Sequence, residues 1–143
     1  MSIVAGVSDT PFAAIVVQRA LEEAQLRSTS VLLASNVSAP RSREDALGYG
    51  ESRSSREAWL DELADEVRQR ADVPVDTYLP ATPGELSEAI LEAAAQPGAE
   101  LIVIGIPRRS RVGKAVIGST SQEVLLGSDL PVLGVKLPRD QEP

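Results

Sequence analysis

The chain has 143 residues, of which 43% are apolar and 24% charged, with a net charge of −7 and neither cysteine nor histidine. Thiol catalysis, disulfides, thiolate or imidazole metal sites and a Ser-His-Asp triad are thereby excluded. Acid/base work by Asp, Glu, Lys or Tyr is left, or binding without chemistry. The acidic balance has the wrong sign for a general nucleic-acid binder, and no apolar run approaches a membrane span of about 18 residues.

"MSIVAGVSD" lacks a basic n-region and has too short an apolar run for a signal peptide, so a cytoplasmic protein is expected, with no membrane partner. The length favours one domain over 1–138, with a frayed tail at 139–143. "IVAGV" (3–7) reads as a first strand. Thr10-Pro11 then offers a cap and a proline at the first helical position, and Val16, Val17, Ala20, Leu21 and Ala24 recur at helical spacing, which predicts a helix over 11–27. "SVLLASNV" (30–37) is the second strand, and its polar end suggests that it opens into a crevice.

Residues 38–56 are rich in Ser, Arg and Gly with little periodicity and are expected as a mobile surface loop. Gly48 and Gly50 form GxG without a third glycine and away from a strand–helix junction, which is no dinucleotide fingerprint. Trp59, Leu60, Leu63, Ala64 and Val67 predict a second helix over 55–71, with Trp59 as a core anchor. "VPVDTYL" (73–79) is the third strand. "TPGE" (82–85) reads as a capping box opening a helix through Leu86, Ile90 and Ala94, which Pro97-Gly98 stops. "ELIVIGI" (100–106) is the most apolar strand, as expected where both faces are covered. A helix from Ser119 to Leu126, ended by Gly127, and a last strand "PVLGVKL" (131–137) complete the chain.

Strand–helix alternation of this kind argues for a parallel α/β sheet of five strands sandwiched by four helices, with right-handed crossovers. Ligands bind such sheets beyond the carboxyl ends of the strands where the strand order reverses, here expected between the first strand and the fourth. The loops at that point are Ser8-Asp9-Thr10 and 105–118. The second contains "PRRSRVGK" (107–114), with Arg108, Arg109, Arg111, Lys114 and no acid, while the other 135 residues carry −11. It runs into "GSTS" (118–121). Ser119 with Gln122 three residues on fits a capping box, which is a purely structural reading. The same stretch also suits an anion seat: Gly118 lets backbone approach, the Ser119 and Ser121 hydroxyls donate, and the helix dipole points its positive end outward. A P-loop is excluded, because Gly113-Lys114 is followed by alanine and Arg108 stands where the earlier glycine belongs.

"LIVIG" (101–105), Gly118-Ser119, "SQEVL" and "LPVLGVK" resemble the C-terminal half of a universal stress protein domain, and the likeness extends over the whole chain. That family's signature is a glycine, two residues, a second glycine, nine residues, then glycine with serine or threonine. Gly105 and Gly118-Ser119 match it, whereas the middle glycine falls on Arg108. The family's usual aspartate after the first strand falls on Ser8, with Asp9 one position later. The resemblance implies a Rossmann-like, adenine nucleotide alpha-hydrolase-like fold. It implies a regulatory protein, not an enzyme, that holds ATP or AMP, with or without Mg²⁺. Phosphates would lie at Gly105, Gly118, Ser119 and Ser121, with Arg108 able to substitute its guanidinium for an amide, and adenine near Val37 or Asn36. It also implies a homodimer paired through 131–137, an apolar edge strand. The alternative is a member without nucleotide, acting by contact with other proteins through the 38–56 loop or the basic loop.

Overall fold

The computed structural model describes residues 1–107, 109–111 and 114–138. The expected tail at 139–143 and Arg108 lie outside the described residues. Five strands form one all-parallel sheet: β1 (Ser2–Gly6), β2 (Ser30–Ala34), β3 (Val75–Tyr78), β4 (Ala99–Ile106) and β7 (Val132–Lys136), in the order β3-β2-β1-β4-β7. Two short strands, β5 (Arg109–Arg111) and β6 (Lys114–Val116), form a separate antiparallel ribbon. The helices are α1 (Ala13–Arg27), α2 (Arg43–Leu47), α3 (Tyr49–Arg70), α4 (Leu86–Ala94) and α5 (Ser119–Gly127).

The apolar runs of β1 and β4 are buried on both faces, and pleating sends alternate residues to opposite layers. Ile3, Ala5, Leu101 and Val103 pack with α1 and α3, where Val17, Ala20, Leu60, Ala64 and Val67 lie. Val4, Ile102 and Ile104 pack with Ile90 and Ala93 of α4 and Val124 of α5. The register Ile3↔Leu101, Val4↔Ile102, Ala5↔Val103 puts β1 beside β4, so the strand order reverses where the alternation of elements placed it.

Three local expectations differ from the structure. The segment expected as a loop at 38–56 holds α2 and the first two turns of α3, which begins at Tyr49 and not at 55. Ser42 caps α2 by accepting from Asp45 N–H at 3.1 Å, and Arg53 anchors α3 by donating to the Pro80 carbonyl at 2.6 Å. No residue of α2 is buried, so apolar periodicity could not reveal it. In α4 the capping box is not Thr82-to-Glu85: Glu85 is the N-cap, and its N–H donates to Glu88 Oε1 at 3.2 Å. In α1 the Thr10-Pro11 pair precedes the helix as a turn, with the Thr10 carbonyl accepting from Ala13 N–H at 3.1 Å. Trp59 is half-buried against the first core layer, with the Arg56 guanidinium 5.1 Å from its ring centre.

Candidate functional site

The β1–α1 loop, the exit of β4 and the start of α5 converge at the carboxyl end of the sheet. Side-chain and backbone bonds hold them there. Val7 N–H donates to the Ala34 carbonyl (2.9 Å), and the fully buried Ser35 hydroxyl donates to the Val7 carbonyl (2.8 Å), which ties the end of β1 to β2. Leu137 N–H donates to the Ile106 carbonyl (2.9 Å), drawing the chain after β7 against β4. The Ser87 hydroxyl of α4 is hydrogen-bonded to the Glu123 carboxylate of α5, which orients the latter helix.

Between these elements lies a cleft of about 440 Å³, in the size range of small-molecule sites. Of the residues expected at a site, Ser8, Gly105, Gly118, Ser119 and Ser121 border it. Asp9 is exposed and outside the lining. Val37 is outside it as well. Its carbonyl accepts from Gly84 N–H (2.9 Å) while Asn36 Nδ2 donates to the Gly84 carbonyl (2.8 Å), so the end of β2 is engaged with the loop before α4. Thr10 and Thr120, from the two stretches expected there, also line it, and Phe12, Val16, Ile90 and Leu137 are among the wall residues that were not anticipated. Phe12, Val16 and Ile90 carry no chemistry that sequence could flag, because an apolar wall residue looks like any core residue.

The expected Ser119–Gln122 capping box of α5 is absent. The N-cap is Gly118, with φ −64° and ψ 160°; no side chain caps the helix, and its first bond runs from Gln122 N–H to the Gly118 carbonyl at 3.0 Å. Ser119 is therefore the first helical residue, and the N–H groups of Ser119, Thr120 and Ser121 have no intrahelical acceptor. All three residues line the cleft, Ser121 is only 3% exposed, and no acidic residue stands in the first turn. The positive end of the helix dipole thus lies at the cleft wall.

The two signature glycines have different surroundings. A Cβ at Gly105 would lie 3.0 and 3.1 Å from the Leu137 methyls and 3.1 Å from Val16 Cγ2, so these side chains would have to give by a few tenths of an ångström. A Cβ at Gly118 would meet nothing within 4 Å, and its φ suits any residue. The fold does not require a glycine at 118.

No described residue of the lining is charged. Outside it, the Tyr78 hydroxyl donates to Glu92 Oε1 at 2.7 Å, and this bond, with partial burial and the carboxylate's charge, pushes the phenol pKa up to about 12.

The universal stress protein family matches residues 1–136. A universal stress protein of Mycolicibacterium smegmatis is 35% identical over 134 residues, covering 94% of this chain and 96% of that protein. Among solved structures, a universal stress protein from Archaeoglobus fulgidus superimposes with a TM-score of 0.68 at 28% identity, covering 94% of this chain and 97% of that one. A universal stress protein from the same organism, in complex with dAMP, gives 0.62 at 26% identity, covering 94% and 96%. Signature spacing, sheet order and whole-length similarity agree: the chain belongs to the universal stress protein family.

Proposed function

We propose that the chain is a single regulatory domain over 1–138 that binds an adenine nucleotide, ATP or AMP, in this cleft and acts as a homodimer without catalysing turnover. The observation that carries the nucleotide reading is the start of α5, where Ser119, Thr120 and the buried Ser121 line the cleft and no side chain of the described residues caps the helix. Phe12, Val16 and Ile104 supply apolar surface for a base, and Gly118 leaves room for a phosphate to approach backbone. The Archaeoglobus relative in complex with dAMP supports the same ligand class. The hydroxyls and apolar side chains of the described lining suit holding a ligand. Mg²⁺ would enter with a triphosphate and not through the chain's own ligands.

A second reading, a member that works by protein contact alone, draws on Ser8, which borders the cleft where the family's usual aspartate belongs. Thermal melting with excess Mg·ATP, against GTP as control, separates the two. Ligand at about 100 times its Kd stabilises by roughly 2.7 kcal/mol, which raises the midpoint by about 5–10 °C at this chain length. An ATP-specific rise is expected. No rise at millimolar nucleotide would leave protein contact as the function.

The dimer reading draws on β7, which lies at the edge of the sheet with β4 as its neighbour. An apolar edge of this kind invites pairing with another chain. Ile117 and Leu126 are 49% and 81% exposed and add apolar surface outside the core. Light scattering at micromolar protein should give twice the 15.1 kDa chain mass, and a monomer mass would remove the dimer from the proposal.

A further inference from the structure

The sheet ends in β3 on one side and β7 on the other. An edge strand carries a row of N–H and C=O groups that its single neighbour leaves unpaired, and such a row can take up a strand from another chain.

On β3 the direction of each backbone group follows from the bonds to β2. The Pro74 carbonyl accepts from Val31 N–H at 2.9 Å, and the Tyr78 carbonyl accepts from Ser35 N–H at 3.1 Å. The register between them runs unbroken from Val31↔Val75 to Ala34↔Tyr78. Along a strand of a parallel pair, the N–H and C=O groups of alternate residues point to opposite sides. The groups of Val75 and Thr77 therefore point away from β2, to the edge.

One of them is already occupied. Arg68, in the last turn of α3, donates to the Val75 carbonyl from Nε at 3.0 Å and from Nη2 at 2.5 Å. Its Nη1 donates to Asp65 Oδ1 at 2.8 Å, one turn back on the same helix, which holds the planar fork in place. The strand is also short, at four residues, and lies between Pro74 and Pro80, neither of which has an N–H to offer. The Pro80 carbonyl is taken by Arg53. A strand arriving at this edge must either displace the guanidinium from Val75 or bury its charge, and both are costly.

We propose that Arg68 closes the β3 edge against strand addition by a second copy of this chain. Copies able to pair at both edges would join end to end without closing, whereas copies with one usable edge stop at a pair. The lock goes beyond the homodimer reading, because it acts on β3 whether the natural chain is a dimer or a monomer.

The test is light scattering of the whole protein from micromolar to submillimolar concentration. It compares the natural chain with Arg68→Ala and with the double variant Arg68→Ala, Thr77→Pro. Thr77→Pro removes an outward N–H and breaks no bond to β2, so it blocks the edge by a second route. The natural chain should hold one mass at the upper end of this range. Arg68→Ala should rise with concentration to at least twice that mass, and the double variant should return to it. Circular dichroism checks that each variant is folded. If Arg68→Ala is not, Arg68→Met, which keeps an apolar stem and removes the donors, carries the same expectation. A folded Arg68 variant with the mass of the natural chain throughout would overturn the proposal. So would a rise that Thr77→Pro leaves in place, since association would then run through another surface. A monomer mass for the natural chain removes the homodimer alone, and Arg68→Ala should then form pairs.

Discussion

Gly118→Val should abolish the nucleotide-dependent rise in melting temperature while leaving a folded protein. The backbone at 118 is extended, and a Cβ there meets no atom of the described residues within 4 Å, so the branch point fits without backbone strain. The cost to the fold is that of a poorer N-cap, about 1 kcal/mol, or a few degrees in the midpoint. The cost to the ligand is of another order. The new methyl groups stand at the start of α5, beside the N–H groups of Ser119, Thr120 and Ser121 that line the cleft. If affinity falls about 100-fold, nucleotide that was at 100 times its Kd is reduced to about its Kd, and its stabilisation drops from roughly 2.7 to about 0.4 kcal/mol. Paired melts with and without Mg·ATP, alongside circular dichroism, read both effects. A rise as large as in the natural chain would show that phosphate is not seated at α5.

Ile102→Ala should be the most destabilising of the changes considered, at about 2–5 kcal/mol. Ile102 is fully buried on β4, flanked in register by Val4 of β1 and Val132 of β7. It packs in the layer that Ile90, Ala93 and Val124 share. Truncation leaves a cavity that two central strands and two helices cannot close without moving. At roughly 3 °C per kcal/mol for this length, the midpoint should fall by about 6–15 °C. Leu126→Ala is the control: Leu126 is 81% exposed, and its loss should change stability by no more than about 0.5 kcal/mol. Denaturant titration of the three proteins checks the comparison. A loss below about 1 kcal/mol for Ile102→Ala would mean that this layer is less tightly packed than its burial indicates.

The candidate cleft was legible in part, and the reason is the same for the expected residues that line it and for those that do not. Gly118, Ser119 and Ser121 stand out because small and hydroxyl residues at a helix start have few roles, and each belongs to anion binding or to capping. Which role applied was not readable. The capping-box pattern of Ser119 and Gln122 is a local spacing, whereas the actual N-cap depends on where the chain leaves the β5–β6 ribbon. Gly105 was read as room for a ligand; it borders the cleft and also lies against Leu137, a neighbour 32 positions on in the chain that no local pattern connects to it. Val37 was assigned to the site through the end of β2, but its carbonyl is taken by Gly84 N–H.

By itself the sequence determined the exclusion of thiol and imidazole chemistry, the five apolar strands, the alternation that makes their sheet parallel, and the segregation of basic residues into one loop. Composition and periodicity are local quantities, and burial on both faces leaves a mark on every strand that experiences it. Tertiary structure alone decided that 43–47 and 49–56 are helical, that Gly118 and not Ser119 caps α5, and that Gly105 lies against Leu137. The first and the last depend on contacts between residues far apart in the chain: Arg53 with Pro80, and Gly105 with Leu137.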